Sequence, residues 1–300
     1  MPKGIILKGI GGFYEVLDAS DLKSLYTCKV RGIHRKSGGI TPLPGDHVVF
    51  KILDQDKRIG HVEDILKRRN EFIRPPVANI DQLAVVLAAA SPEPDFMLMD
   101  KLLIMASAKN IRPIILINKA DLDTDNRIES IKAAYEPTGY KLIVLSKCTE
   151  QGYDLLHEEL NNAKTAFAGQ SGVGKSTILN IILKHWYMET GEVSERIQRG
   201  KHTTRHVQLF ELEGGGFVMD TPGFSTIDIS DISHDSLDDF YPEFSKCEGE
   251  CRFKGCSHIK EPDCAVKDLV VKGMMDQERY NRYVALYNSI KDNYDNRYRR

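Results

Sequence analysis

The run Gly169-Gln170-Ser171-Gly172-Val173-Gly174-Lys175-Ser176-Thr177 constrains this chain more than any other feature. It matches the pattern G-x-x-x-x-G-K-S/T, and both flanks fit: TAFAG (165–169) reads as a strand and TILNIIL (177–183) has helical spacing. In that order the three pieces turn successive backbone N–H groups inward onto an anion at a helix N-terminus. Lys175 would reach the β- and γ-phosphates of a nucleotide, and the Ser176 hydroxyl would bind Mg²⁺.

The surrounding pattern agrees with an α/β core. LAVVLAAA (83–90), PIILI (113–117), LIVL (142–145) and FVMD (217–220) are near-continuous apolar runs, as a parallel sheet covered on both faces requires. VQLFEL (207–212) reads as a further strand, and Phe96 to Lys109 and Gln151 to Asn162 have helical spacing. From Gly12 to about Ile65 the rhythm is different. FYEVL, LYTCKV, LPGDHVVFKIL and RIGHVEDIL are short β segments parted by Ser37-Gly38-Gly39, Pro42, Pro44-Gly45-Asp46 and Asp54-Gln55-Asp56. Such a segment without a helix predicts a small β-barrel, and the oligonucleotide-binding (OB) fold is the commonest basic example. Pro75-Pro76, after Lys67-Arg68-Arg69, reads as a stiff extended connector. Beyond about residue 230 come a cysteine cluster and a helix from Asp276 to about Lys291, whose tyrosine stripe reads as a packing face before a base-stacking platform.

Three hundred residues suit two or three modest cores, and 41% hydrophobic with 28% charged residues excludes a largely disordered chain. No apolar run approaches the roughly 20 residues that cross a bilayer, and MPKGIILKGIGG lacks the features of a secretory leader, so a cytoplasmic location is expected. Six cysteines are too few for a disulfide scaffold, and four of them crowd into residues 247–264, so they read as thiolates in a reducing compartment. The net charge of −2 is unevenly spread. Residues 1–70 hold 13 Lys and Arg against 8 Asp and Glu, and residues 265–300 hold 8 against 5. Basic ends around an acidic centre suggest that the terminal parts touch a polyanion.

Asn118-Lys119-Ala120-Asp121 directly follows the PIILI strand. A carboxylate at Asp121 can accept from both N1–H and the exocyclic amine of guanine, whereas adenine offers neither donor in that geometry, which disfavours ATP. Ser146 and Lys147, after the LIVL strand, could line the same base pocket. Asp220-Thr221-Pro222-Gly223 closes the FVMD strand. There Asp220 would hold Mg²⁺ through water, and the Gly223 amide would sense the γ-phosphate. Gly200-Lys201-His202-Thr203-Thr204-Arg205 offers the hydroxyls of Thr203 and Thr204 to Mg²⁺ and the γ-phosphate. Phe224 stands where many such enzymes carry a water-orienting glutamine, so His202 is the local candidate for that role. An exposed histidine contacting RNA is an equal reading of His202.

These elements resemble those of the Ras-like GTPases in permuted order. N-K-A-D and Ser146 precede the phosphate loop, which precedes Thr203/Thr204 and D-T-P-G. With the N-terminal barrel, Arg74-Pro75-Pro76, GKHTTRH, DTPGF and the Cys/His cluster, the whole chain resembles the RsgA (YjeQ) family of ribosome small-subunit-dependent GTPases. The cluster reads Cys247-x3-Cys251-x4-Cys256-x-His258-x5-Cys264, five candidates for four places on a structural Zn²⁺. The resemblance implies Cys251, Cys256, His258 and Cys264 as the ligands, with Cys247 in place of Cys251 as the alternative. It implies an OB-fold RNA-binding domain (1–72), a circularly permuted α/β GTPase domain (73–230) and a mainly helical zinc-binding domain (231–300). It further implies GTP/GDP with Mg²⁺, one structural Zn²⁺, and the small (30S) ribosomal subunit and its rRNA as partner in late maturation. No dimer motif is evident and a monomer is expected. Because the D-T-P-G loop now leads into the C-terminal module, nucleotide state is expected to set that module's position.

Overall fold

The computed structural model describes residues 1–30, 40–190, 207–212, 215–220, 229 and 231–298. Its first element is a closed barrel of β1 (Lys3–Ile10), β2 (Phe13–Asp18), β3 (Asp21–Val30), β4 (His47–Asp54) and β5 (Ile59–Ile65), in the order β1-β2-β3-β5-β4. Closure comes from β1 pairing antiparallel with β4, Ile5 opposite His47, while β3 and β5 run parallel. The order is that of a five-stranded OB barrel, in which β1 joins the four segments that the turn spacing predicts. Alternate residues face inward, so Ile6, Val16, Tyr26, Cys28, Val48, Phe50 and Val62 form one core, with the Tyr26 and Phe50 rings 5.3 Å apart.

Two local readings need correction. Pro75-Pro76 is no extended connector: residues 73–76 form a turn, and β6 (Glu71–Phe72) folds back antiparallel onto β7 (Val77–Ala78). The hairpin is held to the barrel end, where the Ala78 amide donates to Pro44 O at 2.9 Å and Asn79 Nδ2 to Gly45 O at 3.1 Å. VQLFEL is likewise divided. Gln208 bridges Lys8 and the Leu209 amide donates to Leu7 O at 2.9 Å, which leaves only Phe210–Glu211 for the sheet.

The six-stranded sheet comprises β8 (Gln82–Ala88), β9 (Arg112–Asn118), β10 (Lys141–Val144), β11 (Lys164–Ala168), β12 (Phe210–Glu211) and β13 (Phe217–Asp220). Their order is β10-β9-β8-β11-β13-β12. β10 with β9 and β11 with β13 are parallel, and β12 is an antiparallel edge. β8 and β11 are buried along their full length, which is why their stretches from Leu83 and from Thr165 onward read as mainly apolar runs. The helices of this part are α1 (Phe96–Ala108), α2 (Arg127–Tyr135), α3 (Tyr153–Leu160) and α4 (Lys175–Thr190).

The C-terminal part adds short 3₁₀ turns, α5 (Ala265–Val271) and α6 (Gln277–Tyr298), the last running seven residues past the predicted end. Tyr283, Leu286, Tyr287 and Ile290 on α6 are buried, so the tyrosine stripe is the packing face its spacing predicts. By their contacts the residues fall into two units. One is Met1–Leu83 with Tyr153–Ala168 and Lys175–Phe224; the other is Ala84–Gly152 with Gly169–Gly174 and Ser225–Arg300.

Within the second unit a buried ionic cluster fastens α6 to α1 and α2. Arg279 donates to Asp100 Oδ1 and to Glu243 Oε1, each at 2.5 Å, and Arg282 donates to Asp100 Oδ2 at 2.5 Å. Tyr135 OH completes it, donating to Asp100 Oδ1 at 2.8 Å, and the Arg279 guanidinium lies 5.0 Å from the Tyr135 ring and 4.8 Å from that of Tyr241.

No described helix is long and apolar enough to cross a membrane.

Candidate nucleotide site and metal centre

β9 delivers Asn118 at its last position, nearly buried, and the chain then turns sharply with Lys119 in the left-handed region at φ +64°. That turn starts the 3₁₀ segment Ala120–Leu122 and leaves Asp121 exposed beside the end of β10. The Ala120 amide donates to Leu145 O at 3.1 Å, and Ser146 Oγ donates to Asp121 Oδ1 at 2.7 Å. The Ser146 hydrogen bond is the main reason the Asp121 carboxyl is held below the usual carboxylate range. An exposed, ionised carboxylate is a group that would accept from two adjacent guanine donors.

The same unit joins this segment to the glycine-rich loop. Asn118 Nδ2 donates to Val173 O at 2.9 Å and Lys119 Nζ to Gly172 O at 2.8 Å. Gly174 has φ +99°, and a Cβ there would lie 2.3 Å from Asn118 Nδ2. Gly169, with φ +135°, passes equally close to Val86 O. Only glycine permits both approaches. Gly172, Val173 and Gly174 of the loop therefore stand against Asn118 and Lys119. Directly after Gly174 in the chain, Lys175 opens the sixteen-residue α4, so Lys175, Ser176 and Thr177 occupy a helix N-terminus.

In the first unit Asp220 ends β13 and is paired with Phe167, two residues before Gly169 in the chain. Lys147 lies exposed in the turn after Ser146. His202, Thr203, Thr204 and Gly223, together with Phe224, lie outside the described residues.

Two features of this site carry no motif. Cys148, exposed in the turn after Ser146, has its thiol pushed up by hydrogen bonding to and the charge of Asp121. Arg127 reaches back to the segment between β8 and α1. Neither was legible, because each acts through a turn that brings together residues distant in sequence.

The metal centre is local. The ligand atoms of Cys251, Cys256, His258 and Cys264 all lie within 4.8 Å of one another. His258 Nδ1 is 3.6 Å from Cys251 Sγ and 3.4 Å from Cys264 Sγ, and those two sulfurs are 4.0 Å apart. Metal–ligand bonds of about 2.3 Å to sulfur and about 2.0 Å to nitrogen place tetrahedral ligands about 3.5–3.8 Å apart, so the donor set fits Zn²⁺. Cys247 takes no part: its Sγ donates to Phe244 O at 3.4 Å, and burial pushes its thiol up to about 11. Behind the imidazole, Asp238 Oδ2 lies 3.6 Å from His258 Nε2, the position of a carboxylate that orients a ligating histidine. Tyr280 and Tyr283 of α6 donate to His258 O at 2.6 Å and Ser257 O at 2.9 Å, tying the centre to the helix.

With this geometry in view, comparison with known proteins is specific. Residues 65–230 match the RsgA GTPase family model and residues 3–60 the RsgA N-terminal domain. Over 292 residues the chain is 52% identical to the small ribosomal subunit biogenesis GTPase RsgA of Ruminiclostridium cellulolyticum, covering 97% of this chain and 95% of that one. The protein of the same name from Bacillus subtilis is 42% identical, over 97% of this chain and 98% of its own. Among solved structures, the circularly permuted GTPase YloQ is similar with a TM-score of 0.79, 38% identity and 98% and 96% of the two chains covered. YjeQ from Thermotoga maritima gives 0.82, 30% identity and coverage of 96% and 98%. The N-K-A-D turn that precedes the phosphate loop in the chain and packs against it in space thus has its explanation: the chain belongs to the RsgA family of circularly permuted GTPases.

Proposed function

We propose that this GTPase binds the small (30S) ribosomal subunit, acts in its late maturation, and leaves when it has hydrolysed GTP to GDP and phosphate. The observation that carries the reading is the Asp121–Ser146 hydrogen bond standing on the turn whose Asn118 and Lys119 hold the phosphate loop. Asp121 selects guanine; Ser146 and Lys147 line the base. The amides of Gly169 to Gly174 and the first turn of α4, Lys175 to Thr177, take the phosphates. Ser176 and Asp220 would hold Mg²⁺, which supplies charge stabilisation at the β- and γ-phosphates. Thr203, Thr204 and Gly223 attend the γ-phosphate, and His202 orients water. Small-subunit biogenesis is the work named for the relatives at 52% and 42% identity. The division into residues 1–72, 73–230 and 231–300 belongs to the same reading, with the barrel and the module held by Zn²⁺ on Cys251, Cys256, His258 and Cys264 gripping rRNA by charge and shape.

Base choice tests the site directly. Asp121→Asn replaces one acceptor by a donor, which suits a xanthine carbonyl in place of the guanine amine. Binding of GTP should fall by about 100-fold and binding of xanthosine triphosphate should rise. Unchanged preference for GTP would refute Asp121 as the base-reading residue.

A further inference from the structure

The segment between β8 and α1 is a strap tied at consecutive carbonyls by two cations. Ala90 O accepts from Arg127 Nη1 at 3.1 Å, and the next carbonyl, Ser91 O, accepts from Lys119 Nζ. The same ammonium donates to Gly172 O in the phosphate loop at 2.8 Å. The strap also meets the loop by shape, since Pro92 Cδ stands 3.7 Å from the place a Cβ on Gly172 would occupy. At its start the Ala89 amide donates to Asn118 O at 2.8 Å.

Arg127 is itself held firmly. Asp123 caps the start of α2, accepting from the amides of Arg127 at 2.9 Å and Ile128 at 3.0 Å, and its own amide donates to Ala120 O at 3.2 Å in the N-K-A-D turn. Glu93 Oε2 lies 3.1 Å from Arg127 Nη1. The contacts close a ring: Asn118 and Lys119 to the loop and strap, the strap to Arg127, and Arg127 through Asp123 back to Ala120.

We propose that Arg127 is a positioning residue for the guanine nucleotide, fixing the strap so that Ser91 O holds Lys119 against the phosphate loop. The proposal rests on reading Asn118 to Asp121 as the base-binding turn. A cation that donates to a main-chain carbonyl can be replaced only by another donor of similar reach, and loss of a charge-assisted hydrogen bond is worth about tenfold in binding. Arg127 makes its polar contacts with Ala90, Glu93 and Asp125, so its removal acts on ground-state binding and leaves the chemical step alone.

The test compares Arg127→Met, which keeps the apolar stem, with Arg127→Lys, using a fluorescent GDP analogue for affinity and steady-state GTP turnover for KM and kcat. Arg127→Met should weaken GDP binding and raise KM about tenfold, with kcat within about twofold, and Arg127→Lys should recover most of the loss. A fall in kcat with unchanged KM, or no recovery by lysine, would overturn the proposal. Circular dichroism identifies a variant that fails to fold, in which case Arg127→Gln, retaining a donor without charge, should give an intermediate loss; parent-like binding would overturn the proposal. Lys119→Met separates the two readings. Parent-like binding in Arg127→Met beside a loss in Lys119→Met removes the brace alone, whereas parent-like binding in both removes the guanine site with it.

Discussion

Arg279 keeps its charge in an interior where it is 1% exposed because two buried carboxylates, Asp100 and Glu243, meet it there. Asp100 is the pivot, since Arg279, Arg282 and Tyr135 all converge on it from different elements. Removing one partner of such a set leaves charge buried without compensation, a larger loss than the set's net worth. Asp100→Ala should therefore destabilise its unit by about 3–5 kcal/mol, read as a lower midpoint in denaturant unfolding. Little of this cluster was legible in the sequence. Asp100 and Arg279 are 179 residues apart, and each sits in a helical pattern where a charge is usually a solvated face. Asn118, Asp121, Gly174 and Lys175 stand out in the sequence because the phosphate and base chemistry proposed for them requires those types at short, fixed spacings, which the chain displays uninterrupted.

At the scale of elements, strands read well where burial was two-sided and poorly where pairing was shared. β8 and β11 announced themselves as apolar runs. β1 did not: its glycines and two lysines blur the alternation, and it becomes a strand through its pairing with β2 and β4. The junction of β4 and β11 carries a titratable pair. Lys164 Nζ is 3.0 Å from His47 Nε2, with Asp81 Oδ2 4.0 Å from the ammonium. Burial first, then the charges of Lys164 and Arg69, hold the His47 pKa below its ordinary value. Folded His47 therefore takes up its proton at lower pH than the unfolded chain, which does so as pH falls through about 6.5. Between that pH and the lower folded pKa the unfolded state binds more protons, so stability falls as pH falls. The thermal midpoint should drop from pH 7.5 to pH 5.5, and His47→Gln, which keeps an acceptor for Lys164, should shrink the drop. An equal drop in the variant would assign the dependence to other groups.

At the scale of the whole molecule, permutation changes the order of the GTPase elements along the chain and gives the last of them a new continuation. The D-T-P-G strand, β13, leads onward to the C-terminal module, and α6 of that module is fixed by Arg279 and Arg282 to α1 and α2, in the unit that holds Asn118 to Asp121. Any nucleotide-dependent displacement of the module carries α1 and α2 with it. That arrangement, with basic excess in residues 1–70 and 265–300, agrees with the proposal that a bound polyanion governs turnover. The most direct measurement is the steady-state rate of GTP hydrolysis at fixed salt, alone and with purified small ribosomal subunits, with Lys175→Ala as the blank. The account predicts a large rise with small subunits that large subunits fail to give. A rate unchanged by small subunits, or raised equally by large ones, would contradict it.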